Sequence, residues 1–175
     1  FRSRLQHEPS GALAVVQMKD IDAANVLSLT GASRVTLADV AEHHLLRAGD
    51  LVFRSRGRSN GAALVAGDIA PAVVAAPLLL VRPRQVLPEY LAWYLNSAAA
   101  RAQLAALAAG TSVAMISAES LRGLTLPVPS VDHQRRIAEI GVLSLREYAI
   151  AQRLATLRQR RTTQLLLNLA NEADA

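Results

Sequence analysis

From Ser130 to the last residue the chain contains no proline and a single glycine, Gly141. Nothing in such a stretch ends a helix once one has begun. Ser130 is a good N-cap, and Asp132 sits in the first turn, where the helix dipole favours a carboxylate. The pattern predicts one helix running to about Asn171, roughly 60 Å at 1.5 Å rise per residue. That is longer than any surface a domain built from the rest of the chain can offer it.

Ile140, Leu143, Ile150, Leu154 and Leu157 recur at the alternating three- and four-residue spacing of a coiled-coil seam. Glu147 breaks the seam, and Arg161, Gln164 and Asn168 continue it in polar form. A long helix with one apolar stripe needs a partner helix, which makes those five residues the candidate dimerisation set. The alternative is a terminal helix folded back on its own domain. No internal repeat supplies a second such helix, so the partner is expected to be a second chain or a segment outside this one. Arg135, Arg136, Arg146, Arg153, Arg158, Arg160 and Arg161 read as the solvated face that keeps the helix soluble, or as contacts for an acidic partner.

The preceding residues have a different grain. Leu13 to Gln17, Leu51 to Arg54, Ala62 to Val65 and Ala72 to Ala75 are apolar runs of strand length bounded by Gly, Asp, Asn or Pro. Gly49-Asp50 and Ser59-Asn60-Gly61 are turn signals. They predict a compact, mostly antiparallel sheet. Pro88 opens a short helix that places Tyr90, Leu91, Tyr94 and Leu95 on one face and ends near Asn96. Ala98 to Ala109 makes a second helix stopped by Gly110, and Ser117 caps a short turn through Leu121. Leu124-Thr125-Leu126 is read as one more strand, closed by Pro127 and Pro129. The fold class expected is α+β: a mixed, largely antiparallel sheet domain with short helices over residues 1–129, then one long coiled-coil helix over 130–175.

A length of 175 residues suits one ordinary domain with such an appendage, and a chain 51% hydrophobic and 19% charged is expected to fold. No apolar run approaches the roughly 18 uninterrupted residues that a membrane span needs. The absence of cysteine excludes disulfides, zinc-thiolate sites and thiol catalysis. His7, His43, His44 and His133 fall in no metal-binding pattern, so no metal and no cofactor are expected.

The formal charge is +5, carried by 18 arginines and one lysine, Lys19. Arginine forks onto phosphate or guanine, which favours a polyanionic partner. A GC-rich genome accounts for the arginine-to-lysine ratio but leaves the surplus charge unexplained. The sharpest cluster is Arg54, Arg56 and Arg58 followed by Ser59 and Asn60. Alternation in an extended segment puts the three arginines on one side, beside a turn through which backbone can approach phosphate. Arg can read guanine and Asn adenine in the major groove. The same pattern also fits a solvated strand edge. Gln17 and Lys19, after the first strand, are candidate loop contacts. So are Thr111 and Ser112, whose hydroxyls and amides suit phosphate, although Gly110-Thr111-Ser112 also reads as a plain helix stop. Tyr90, Trp93 and Tyr94 are expected in the core rather than as stacking platforms.

Gln17-x-Lys19 faintly resembles a nuclease metal site, which needs at least one acidic partner upstream of the lysine, but no Pro-Asp pair precedes it. The amino-methyltransferase Asn/Asp-Pro-Pro-Tyr/Phe motif, a Walker A loop, GxSxG and GxGxxG are absent as well. No catalytic residue is assigned.

Five segments in order carry a resemblance: Leu46 to Gly57, Leu87-Pro88-Glu89-Tyr90-Leu91, Gly110-Thr111-Ser112, Leu124 to Pro129, and His133-Gln134-Arg135-Arg136-Ile137-Ala138. In that order and spacing the chain resembles the specificity subunits of type I restriction-modification systems, from about Val16 to Leu169. The resemblance implies a target-recognition domain leading through a Pro-x-Pro and Gln-x-x-Ile segment into a spacer helix. A full subunit of that family carries two of each, the helices packed antiparallel; this chain carries one. What it implies is a cytoplasmic, non-catalytic half-subunit that binds double-stranded DNA. It would homodimerise or pair with a second half-subunit, and would position a DNA methyltransferase subunit, with a restriction subunit as a further partner. Two other readings stay open: a non-DNA dimeric scaffold or inhibitor using the same helix, and a small metal-dependent nuclease.

Overall fold

The computed structural model describes all residues except 1–7, 9, 38, 58, 59, 68, 108–114 and 173–175. Its contacts divide the chain into two units, Phe1–Ala138 and Glu139–Ala175.

Among the described residues of the first unit, six short strands make two sheets of three: β1 (Leu13–Val16), β2 (Ser33–Val35), β3 (Leu51–Arg54), β4 (Ala62–Leu64), β5 (Ala72–Val74) and β6 (Leu78–Val81). In one sheet β1 lies between antiparallel β2 and parallel β5, with Ala14 opposite both Arg34 and Ala72. In the other, β3 lies between β4 and β6, both antiparallel, with Val52 opposite Ala63 and Leu80. The sequence predicts a single sheet, and two form because β1 and β3 each become a central strand buried at every position. Strands buried on both faces need cover on both.

The two-residue period of a strand distributes that burial. Ala14 and Val16 of β1 join Val52, Ala63, Ala72 and Leu78 in one core cluster. Their neighbours Leu13 and Val15 pack with Val35 and Val73 on the other face. Leu51 and Phe53 of β3 point away from Val52 to meet Ala62, Leu95, Leu104 and Ile116. Two of those come from helices α1 (Pro88–Leu95) and α2 (Ala98–Leu107).

Pro88 opens α1 at its first turn, and Tyr90 and Tyr94 are buried as expected, whereas Trp93 is exposed and stacks on Tyr90 with ring centroids 5.7 Å apart. Ser117 caps α3 (Ala118–Arg122), its hydroxyl accepting the Ser120 N–H at 2.9 Å. The strand predicted over Leu124 to Leu126 does not form. The Thr125 N–H donates to Gln103 Oε1 at 3.0 Å, and the Thr125 carbonyl accepts from the Tyr94 hydroxyl at 2.8 Å. Helix side chains thus satisfy this segment's backbone in place of a neighbouring strand.

The last helix, α4, runs Val131–Glu172. Its first turn belongs to the first unit, where Gln134 is buried, its Oε1 accepting from Leu87 N–H at 2.8 Å and its Nε2 donating to Pro129 O at 2.9 Å. Ser130 Oγ accepts the His133 N–H at 3.4 Å. In the second unit every residue from Val142 to Asn171 is exposed. Helical bonds four residues apart, such as Gln164 Nε2 to Asn168 Oδ1 at 2.9 Å, link polar side chains along its surface. Among the described residues no helix is long and apolar enough to cross a membrane.

Candidate nucleic-acid interface

Three loops meet at the end of β3. The chain leaves β1 through a single 3-10 turn (Met18–Asp20), which the Asp20 carboxylate closes by accepting the Gln17 N–H at 2.8 Å. Gln17 is half-buried and Lys19 exposed. A tight turn follows, closed by a bridge between Ile21 and Leu27. Asp22 Oδ1 accepts the N–H groups of Ala24 and Val26 at 2.9 and 2.8 Å, the Asx geometry that Asp favours in turns. Asn25 takes φ +61°, a left-handed conformation that Asn tolerates. The third loop leaves β3 through Ser55, Arg56 and Gly57. Gly57 has φ +114°, which only glycine adopts freely, and a Cβ there would lie 3.9 Å from the Met18 methyl group. The loop that carries Gln17 and Lys19 and the loop that carries Arg56, far apart in sequence, therefore touch at Met18 and Gly57.

Alternation predicts Arg54 and Arg56 on one side of an extended segment, but the structure separates them. Arg54 is 8% exposed, and Ser55 beside it is also buried. The Arg54 Nη1 donates to the Asp22 carbonyl at 3.2 Å and its Nη2 to Asn25 Oδ1. Its Nε is buried without a hydrogen-bond partner, and among the described residues no carboxylate pairs with it. Arg56 is exposed, its backbone bridged to Met115. Asn60 is half-buried and donates from Nδ2 to the Arg54 carbonyl at 3.0 Å. Arg58, Ser59, Thr111 and Ser112 lie outside the described residues.

Two residues that sequence reasoning missed complete the arrangement. Asn25 Nδ2 donates to Asn96 Oδ1 at 3.0 Å. Asn96, just past α1, pairs its carboxamide with the backbone of Ala62, accepting at 3.0 Å and donating at 2.8 Å, as a strand neighbour would. Ala62 stands opposite Phe53, and Arg54 N–H donates to Gly61 O at 2.8 Å. The bonds close a ring from β3 through Arg54, Asn25 and Asn96 to β4 and back. Gly61 completes it by having no side chain, since a Cβ would lie 2.5 Å from Asn25 Oδ1. The local signal for Asn25 is the Asp22-Ala-Ala-Asn25 turn sequence; nothing local marks its partner as Arg54.

A groove of about 840 Å³ lies on the Arg56 side, and His44, Arg56, Ser117, Val73, Leu78 and Leu80 are among the residues lining it. Further off, the Asp50 carboxylate accepts from Arg82 and holds that guanidinium above its ordinary pKa. Burial raises the Tyr90 phenol, whose hydroxyl donates to Pro127 O at 2.7 Å. Among the described residues no three His, Asp or Glu side chains gather to hold a metal ion. Ile140, Leu143, Ile150, Leu154 and Leu157 are all exposed, by 67, 61, 62, 46 and 52% respectively.

Fold and surface together define an α+β protein: two packed sheets flanked by short helices, with a long helix at the C-terminal end of the chain. Among solved structures it is similar to the crystal structure of the HsdS subunit from Thermoanaerobacter tengcongensis, with a TM-score of 0.59 and 24% sequence identity over 87% of this chain. The chain spans 40% of the length of that subunit. The likeness establishes the fold. No family model matches the sequence, and no curated protein does.

Proposed function

We propose that this chain is a sequence-specific DNA-recognition component of a type I restriction-modification system, without catalytic chemistry of its own. It acts as a half-subunit that pairs through α4 and places methyltransferase subunits on DNA. The observation that carries the reading is the structural likeness to an HsdS subunit, a type I specificity subunit, over most of this chain but under half of that one. One recognition domain and one long helix need a second such pair, from another copy or from a second half, to match a two-domain subunit. The exposed seam on α4 supports such pairing, because large apolar side chains at coiled-coil spacing are stable in water when a second helix covers them. The net charge of +5 and the exposed Lys19 and Arg56 support a polyanionic partner.

Equilibrium binding to duplex DNA across a salt series tests the proposal. The logarithm of the binding constant should fall linearly with the logarithm of salt, with a slope reporting several phosphate contacts. No binding at about 50 mM salt, where such contacts are strongest, would refute it.

A further inference from the structure

We propose that Arg54 is a positioning residue. Through Asn25 it fixes the Asp22–Val26 turn against the end of β3, and so sets which DNA sequence the neighbouring exposed groups read. The inference rests on the DNA-recognition reading and assigns a role within it that neither a DNA-contacting arginine nor a solvated edge would have.

Arg54 is over nine-tenths buried and both its Nη groups are engaged, on Asp22 O and Asn25 Oδ1. Its remaining N–H groups are buried with it, Nε without a partner, so the fork is turned into the fold and not toward a phosphate or a base. Burying a cation among neutral acceptors is costly, and a fold keeps it where its bonds order something. What these bonds order is the Asp22–Val26 turn. Its own bonds, which the Ala24 and Val26 amides donate to Asp22 Oδ1, shape the turn but do not attach it to the sheet. Attachment comes from Arg54 Nη1 on the Asp22 carbonyl and from Asn25, whose Oδ1 accepts from Arg54 and whose Nδ2 donates to Asn96. Ala23, Ala24 and Val26 are exposed on the turn so held, beside Lys19 and the Arg56 loop. The Arg54 carbonyl also accepts from Asn60, so one residue braces both loops. Base reading requires contacts held to a fraction of an ångström, whereas phosphate attraction tolerates movement. Loosening Arg54 should therefore cost discrimination before it costs affinity.

The test compares Arg54→Lys, Asn25→Gly and Arg56→Ala with the full-length wild-type chain. Asn25→Gly keeps the positive φ while deleting the carboxamide, and serves if Arg54→Lys fails to fold. Without DNA, amide hydrogen exchange over Asp22–Val26 should be about tenfold faster or more in the first two variants, with β1 and β3 amides unchanged. With duplexes selected by the wild type, the ratio of specific to non-specific binding should fall about tenfold in both, while the salt slope on non-specific DNA stays at the wild-type value. Arg56→Ala should instead lower that slope by about one. A lowered slope in Arg54→Lys would show direct phosphate contact and overturn the proposal, as would unchanged exchange in the turn. A wild-type chain with no sequence preference refutes the recognition reading itself, and the exchange result then decides the brace independently.

Discussion

Arg82 closes on Asp50 with two hydrogen bonds of 2.7 Å, from Nε to Oδ1 and from Nη2 to Oδ2. Asp50 is 2% exposed and also accepts the Arg47 N–H at 2.8 Å, which shapes the turn leading into β3. Asp50 precedes β3 and Arg82 follows β6, so the pair clamps the end of the β3–β6 ladder where Leu51 stands opposite Val81. Removing the guanidinium strands a buried carboxylate. Arg82→Ala is expected to destabilise the chain by about 2 to 3 kcal/mol, a discount for the one-third exposure of the arginine. Urea denaturation measures it, and Arg82→Ala combined with Asp50→Asn should cost less than Arg82→Ala alone.

Gln134 joins the first turn of α4 to the start of α1 and to Pro129. Gln134→Leu keeps the volume but leaves the Leu87 N–H and the Pro129 carbonyl unpaired. The expected loss is about 2 kcal/mol, read by the same denaturation, while Gln134→Glu should retain the bond from Leu87 but lose the donor to Pro129 and bury a carboxylate, so that its cost should shrink as pH falls and the acid protonates.

Tyr90 gives the chain an alkaline limit. Its phenol titrates above the usual 10.0 because burial disfavours the phenolate. The stability this contributes is complete below the unfolded value and is lost as pH rises through the folded one. Stability should therefore fall above about pH 10, where unfolded tyrosine begins to ionise. Tyr90→Phe should cost about 1 kcal/mol at pH 7 through the lost bond to Pro127 and should flatten part of the alkaline decline.

The long helix was the most legible element, because a stretch without breakers and with a three-four stripe admits few other structures. Strands β1, β3, β4 and β5 were visible as apolar runs. Strand β2 was not: Ser33-Arg34-Val35 is short, and it forms because Arg34 lies opposite Ala14 across a sheet that the local sequence does not announce. Leu78 to Val81 is apolar enough to be a strand, but its place beside β3 is a tertiary fact. The candidate interface was half legible. Turn chemistry and arginine content marked its loops. Burial of Arg54 depends on Asn25, 29 residues away, and alternation within one segment carries no information about that partner.

Leu154→Glu with Leu157→Glu tests the pairing of α4. Each leucine is worth roughly 1.5 to 3 kcal/mol when fully buried. Two charges in the seam should weaken a dimer by more than about a hundredfold. Light scattering should then report monomers, and a dimer that survives both substitutions would show that the seam is not the interface.

The most direct test of DNA recognition by a paired half-subunit is selection of duplexes from a random pool at low salt, followed by sequencing. The account predicts enrichment of two copies of one short motif in inverted orientation, separated by a fixed spacer, as two identical recognition domains related by a twofold axis would select. A pool that emerges with no enriched motif, or with a single unrepeated one, would contradict it.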